Sequence, residues 1–248
     1  MIMKAAPEAQ KRLLDLAELD SMIDRLAHRR RTLPELAEID ERSKAFAKLA
    51  TQVIEAETEA GDLAREQAKA ESDVDAVRTR ADRDQKRLDS GAVTSPRDLA
   101  GLQSEIASLQ RRQGDLEEVV LEIMERREAA DTKVTDLAAR RDEVRVALSA
   151  AEDRRDAALS EIDKEASEVK DRRAGVAGEI PADLLALYEK LREQYGVGAA
   201  MLHGGRCQGC KVALSIAEMN RIKAAPHDEV LRCDECRRIL VRTAASGL

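Results

Sequence analysis

The chain's four cysteines fall in two C-x-x-C pairs, Cys207 with Cys210 and Cys233 with Cys236, separated by 22 residues. Two residues between thiols let one tight turn aim both sulfurs at a single ion. A second turn of the same kind completes the tetrahedron that Zn²⁺ accepts. The spacing predicts a tetrathiolate centre holding one structural Zn²⁺ per chain, with a short helix between the turns to absorb the slightly wide gap. Iron also suits four thiolates. Two other chemistries fit the residues less well. Paired disulfides need an oxidising compartment, but Met1 to Ala17 lacks the apolar core of a signal peptide. No apolar run approaches the roughly 18 to 20 residues of a membrane span, so a cytoplasmic chain without membrane contact is expected. A thioredoxin-like dithiol needs one C-x-x-C on a βαβ pattern, which this sequence does not offer. With four protein ligands the coordination shell is closed, and P-loop, G-x-S-x-G and H-E-x-x-H motifs are missing. The expectation is a chain that is not an enzyme, with no catalytic residue and no small-molecule substrate.

The elements that must carry this centre are unusual. With 37% charged residues, 1% aromatic residues and no Trp, 248 residues cannot build an ordinary globular core. Stepping alternately by three and four residues from Leu99 to Val169 lands on apolar residues at 16 of 21 positions without a phase change. The same stepping from Phe46 to Leu88 gives 11 of 13. An earlier register through Leu16, Leu19, Ile23, Leu26, Arg30 and Leu33 slips near Pro34, which predicts a kink or a restart there. Between the two long arrays lies Ser90-Gly91-Ala92-Val93-Thr94-Ser95-Pro96, the one cluster of turn formers in this part of the chain. Helices of nearly equal length around a short turn predict an antiparallel coiled-coil hairpin, with arms on the order of 115 Å if straight. The fold class expected is mainly α: a long antiparallel coiled-coil hairpin over 1–173, with its tip near 90–96, and a small C-terminal zinc-ribbon domain with short β-strands within 174–248.

A turn centred near Val93 sets a register in which Val77 faces Leu109, Ala60 faces Arg127 and Phe46 faces Arg141. Gln113, Arg127, Arg141 and Arg155 recur every 14 residues on the seam. Their stems are expected to pack there while their heads reach flanking carboxylates. A register-fixing role at some cost in stability is the alternative.

After the coil, Ala174 to Pro181 reads as a break. Ala182 to Tyr195 reads as an amphipathic helix with Leu184, Leu187, Tyr188 and Leu191 on one face, and both tyrosines are expected in the core or at a hinge. Ala199 to Leu202 and Ile239 to Arg242 read as short strands beside the cysteine turns, with a helix through Leu214, Ile216, Met219 and Ile222 between them. His203 and His227 lie near a tetrahedron that the thiolates already fill.

Charge separates the two parts. Residues 1–180 hold 32 Lys plus Arg against 41 Asp plus Glu, while residues 181–248 hold 10 against 8. An acidic coil is a poor ligand for nucleic acid. Arg206, Lys211, Arg232, Arg237, Arg238 and Arg242 nevertheless cluster around the cysteines, either balancing the thiolates or forming a patch for phosphate or another partner.

Gly204-Gly205-Arg206-Cys207-Gln208-Gly209-Cys210-Lys211-Val212-Ala213-Leu214 and Cys233-Asp234-Glu235-Cys236-Arg237-Arg238-Ile239-Leu240, with Ser95-Pro96-Arg97-Asp98-Leu99 at the turn, resemble the C4-type zinc ribbon family of bacterial coiled-coil proteins. The resemblance implies a long helical hairpin ending in a zinc ribbon, without enzymatic activity. Some such proteins serve as chaperones or adaptors in flagellar and type III secretion systems, and one kind binds messenger RNA and a sigma factor. The chain departs from the family pattern where Asp234 and Arg237 stand in place of Pro and Gly. A left-handed backbone at Arg237 would cost on the order of 1 kcal/mol, well below the roughly 10 to 16 kcal/mol of zinc binding. The function expected is a non-catalytic adaptor or chaperone-like protein with a protein partner, existing as an elongated monomer or weak dimer. The alternative is a protein binding RNA or DNA through the basic ribbon.

Overall fold

The computed structural model describes residues 3–248. Its helices are α1 (Pro7–Arg31), α2 (Pro34–Asp89), α3 (Pro96–Gly178), α4 (Ala182–Tyr195) and α5 (Ile216–Ala224), and its strands are β1 (Ala199–His203), β2 (Arg206–Cys207) and β3 (Ile239–Val241). The chain packs as two compact units, one of residues up to Leu36 with Asp153–Leu248 and the other Ala37–Glu152.

In the Ala37–Glu152 unit, α2 and α3 run antiparallel around the turn at 90–95. Gly91 ends α2 with a φ of 67°, a left-handed angle that glycine adopts without steric cost. Pro96 opens α3, where its missing N–H would have had no helical partner. Val53, Ala56, Leu63, Ala70, Val74 and Ala81 of α2, and Ile106, Ile123, Ala130 and Ala151 of α3, are buried, all on the seam that the alternating steps pick out. The flanking pairs across that seam fall on both sides of the sequence-based register. Arg127 donates to Gln67 at 3.2 Å, not beside Ala60 but one heptad further along α2. Lys133 pairs with Glu59 at 2.9 Å and Arg126 with Glu66 at 3.8 Å in the same displaced sense. Nearer the turn Arg80 reaches Glu105, offset the other way, so these contacts reflect how far long side chains reach along the seam and not a displacement of the helices by a heptad. The seam arginines behave as expected of long stems with heads at the flank: Arg127 reaches Asp131, Arg141 reaches Asp142, and Gln113 donates to Glu117.

In the other unit, the predicted restart falls where α1 ends at Arg31 and α2 begins at Pro34. Leu19, Leu26 and Leu33 pack with Ile162 and Val169 of α3. α3 continues through Ala174–Gly178, which the sequence suggested as a break. Val176 and Ala177 pack against the core and hold the helix through two glycines, and Pro181 stops it. Packing thus groups the first helix and the last part of α3 with the ribbon, a division different from 1–173 and 174–248.

The strands form a sheet in the order β2-β1-β3, β1 antiparallel to β2 and parallel to β3. Successive residues of a strand point to opposite faces, and here both faces are covered. Ala199, Ile239 and Val241 pack on one side with Leu13, Leu16, Ile180, Leu184, Tyr188 and Leu191. Ala200, Leu202 and Leu240 pack on the other with Ile222, Leu231, Cys207 and Cys233. The sheet is therefore the partition between a helical core and the cysteine core. The N-terminal segment joins the same unit, with Ala5 N–H donating to Asp228 O and Val230 N–H to Met3 O.

Candidate metal centre

Cys207 is delivered by a hairpin. Gly204 and Gly205, at φ 51° and 70°, form a two-residue turn between His203 and Arg206 that requires left-handed angles at both central positions. Beyond β2 the chain enters a tight loop in which Lys211 N–H donates to Cys207 O at 2.8 Å and Cys207 N–H to Val212 O at 3.1 Å. The second loop repeats it: Arg237 N–H donates to Cys233 O at 2.9 Å and Cys233 N–H to Arg238 O at 3.0 Å. Lys211 and Arg237 are the two non-glycine residues with positive φ among the described residues, both at 62°. The left-handed angle expected at Arg237 is present, and Lys211 has it as well. Gly209 has no room for a side chain, since a Cβ there would lie 2.9 Å from that of Ala200.

These loops bring the four sulfurs within 4.8 Å of one another. Cys207 Sγ lies 3.8 Å from Cys236 Sγ, and Cys210 Sγ 3.9 Å from Cys233 Sγ. Zn–S bonds of about 2.3 Å at tetrahedral angles require sulfur separations of about 3.8 Å, so the donor set fits zinc in both chemistry and spacing. The four thiolates hold one structural Zn²⁺. Both histidines near the loops, His203 and His227, are exposed and stand outside this cluster. Burial pushes the Cys207 thiol up and that of Cys233 up to about 12. Burial also opposes ionisation of Cys236, but the Arg238 N–H and the three neighbouring cysteines outweigh it and bring its thiol down. Metal binding must therefore displace protons from the buried pair.

The six basic residues around the centre divide into two sets. Arg238 donates to Tyr195 O at the end of α4 and to Val197 O just beyond it, with its guanidinium 5.9 Å from the centre of the Tyr195 ring. Arg242 donates to Ala225 O, Pro226 O and Glu229 O, closing the end of α5 against the loop after it. Both are built into the fold. Arg206, Lys211, Arg232 and Arg237 are exposed or nearly so, and Arg232 Nε is engaged with Arg237 O at 2.8 Å.

One polar cluster of this unit is not apparent from the sequence. Asp20 of α1 is completely buried. It accepts from Tyr188 Oη at 2.6 Å and from Arg173, which also reaches Glu189 at 2.6 Å, and it forms an ion pair with Arg192, whose Nε lies 3.0 Å away. Burial, with the Asp20 carboxylate second, raises the Tyr188 hydroxyl far above its ordinary range. The hydrogen bond to Asp20 outweighs desolvation and raises the Arg173 guanidinium further. The cluster ties α1, α3 and α4 together behind the sheet. A signal existed, since Asp20 continues the apolar row Leu13, Leu16, Ala17 at helical spacing.

Residues 16–196 match the CT398-like coiled coil hairpin domain, and residues 206–240 match the C4-type zinc ribbon domain. Two uncharacterised proteins of Mycobacterium tuberculosis strains are 40% identical over 99 residues, which is 40% of this chain and 40% of each relative. The match thus spans about two fifths of the length of these curated relatives. A solved structure from Mycobacterium smegmatis is 38% identical, with a TM-score of 0.86 over 97% of this chain and 100% of that one. CT398 from Chlamydia trachomatis, 19% identical with a TM-score of 0.68 over 95% and 98% of the two chains, shares the fold. So does the HP0958 protein of Helicobacter pylori, 17% identical at a TM-score of 0.52 over 97% and 100%.

Proposed function

The chain belongs to the CT398-like coiled-coil hairpin family, and from that premise we propose that it is a non-catalytic adaptor or chaperone-like protein, its zinc holding a ribbon in shape and its helices presenting surface to a protein partner. The observation that carries this reading is the closed donor set. Four protein thiolates leave no position at which zinc could polarise a substrate or activate water. Both cysteine loops are fixed by their own backbone hydrogen bonds, as a structural centre requires. No helix among the described residues is long and apolar enough to cross a membrane.

Nucleic-acid binding through the ribbon is the competing reading, and the structure counts against its strongest form. Arg238 and Arg242 face backbone carbonyls, so the patch reduces to Arg206, Lys211, Arg232 and Arg237. The ring of Tyr195 lies under Arg238, and that of Tyr188 is buried, so neither is placed to stack a base. Affinity capture on the full chain, split into nuclease-treated and untreated halves, tests the proposal. The same proteins are expected in both halves. Enrichment of RNA that disappears from a variant with Arg206, Lys211, Arg232 and Arg237 all changed to Ala would replace the adaptor with the nucleic-acid reading.

A further inference from the structure

Along α3, the seam row passes through Leu116, Val120, Ile123 and Arg127. The adjacent row, one residue on, carries Glu117, Leu121, Met124 and Glu128. A two-stranded coil covers only the seam row, and the adjacent row is normally polar. Here Leu121 is 59% and Met124 46% exposed, which widens the apolar stripe beyond what α2 covers. Two hollows of about 430 and 620 Å³ run along this side of the α2–α3 pair and share Leu121. Val74 and Val120 of the seam line the first.

The rim of this groove says what kind of molecule fits. It carries Glu71, Asp75, Glu117, Glu125, Glu128 and Asp131, against Arg78 and Arg127. Both arginines are already matched within the unit, Arg78 to Asp75 at 3.7 Å and Arg127 to Asp131 at 3.6 Å. Nucleic acid and an anionic membrane would meet like charge. A second copy would set one acidic rim against another, on a chain of net charge −7. An apolar stripe one row wider than a two-helix seam calls for a third helix, and the carboxylates on both banks call for lysine or arginine beside that helix's own apolar row.

We propose that the groove around Leu121 and Met124 docks a basic amphipathic helix of a protein partner, laid against the hairpin as a third strand. The inference rests on the adaptor reading and gives that partner a chemistry. Leu121 and Met124 supply the apolar contact, while Glu117, Glu125 and Glu128 set orientation and hasten encounter.

The probe is a fluorescent synthetic helix of about three heptads, leucine at the seam positions and lysine at the flanks, titrated with the full zinc-loaded chain at physiological salt. A scrambled peptide of the same composition serves as control. The helix is expected to bind, and the Leu121→Ser/Met124→Ser double variant to bind it at least about tenfold more weakly with unchanged thermal unfolding. Glu117→Gln/Glu128→Gln should weaken binding and flatten its salt dependence. Equal binding of the scrambled peptide, or retention by the double variant within about twofold, overturns the proposal, since charge alone would then explain the attraction. A dimer in sedimentation that the double variant abolishes overturns it in favour of a second copy. Affinity capture separates the two levels. Proteins still captured by the double variant leave the adaptor reading standing and the groove refuted, whereas a full chain that captures no protein refutes the adaptor reading itself.

Discussion

The unit that holds the cysteines and the unit formed by the middle of the hairpin solve the problem of a scarce hydrophobic inventory in opposite ways. In the first, different element types converge: Leu13, Leu16, Leu184, Tyr188, Ile239 and Leu240 are wholly buried on the two faces of one small sheet, and four sulfurs and a buried carboxylate complete the interior. In the second, a single motif repeats, and its buried positions are isolated alanines, valines, leucines and isoleucines along one seam, with Asp84 the one charged residue among those described. A core of unlike parts admits one arrangement, because each side chain has one place to go. A repeating seam is compatible with several arrangements that differ by a heptad, and Arg127 and Gln67 meet across it.

The largest expected contrast comes from removing the metal. Chelation, or Cys207→Ser with Cys233→Ser, removes roughly 10 to 16 kcal/mol of binding energy from the cysteine core. Amide resonances of Ala200, Leu202, Leu231 and Leu240 should collapse while most of the helical circular dichroism survives. Loss of the hairpin signal together with the ribbon would break the comparison. Because burial holds Cys207 as a thiol and pushes Cys233 up to about 12, zinc affinity of the stripped chain should rise with pH through neutrality, which a competition titration with a chromophoric chelator would read.

Next in size is Asp20→Ala, which leaves Arg173 and Arg192 without their shared carboxylate. A loss of about 3 to 5 kcal/mol is expected in denaturant unfolding. Gly198→Ala should cost about 1 to 3 kcal/mol, because a Cβ there would lie 2.4 Å from Tyr188 O. The hairpin should be far more tolerant: Arg127→Leu should change stability by less than about 1 kcal/mol. Cysteine cross-linking should still join position 59 to 133 in that variant. Migration of the cross-link by a heptad would show that Arg127 fixes the register and does more than pack its stem.

How much of this was legible in the sequence follows the same division. The zinc ligands announce themselves because metal geometry forces a short spacing within each pair, and the strands beside them because apolar runs adjoin the turns. The hairpin and its tip are legible from a periodicity sustained on both sides of one Gly-Pro cluster. The partners of the flanking side chains are not, since a seven-residue period does not say which of two positions a heptad apart a long side chain will reach. The destinations of Arg238 and Arg242 were also hidden, because composition records a charge but not which carbonyls a guanidinium will meet. Asp20 and Gln10 lie on the apolar row of α1 beside Leu13 and Ala17, a visible anomaly whose partners sit more than a hundred residues away.

A metal closed within four thiolates, serving structure alone, is the point on which the rest depends. X-ray absorption at the zinc edge of the purified full chain addresses it without intermediaries. Four sulfur neighbours at about 2.3 Å, with no nitrogen or oxygen in the first coordination sphere, are expected. A sphere containing water, histidine or carboxylate beside fewer than four sulfurs would contradict a purely structural centre and reopen the question of chemistry at the metal.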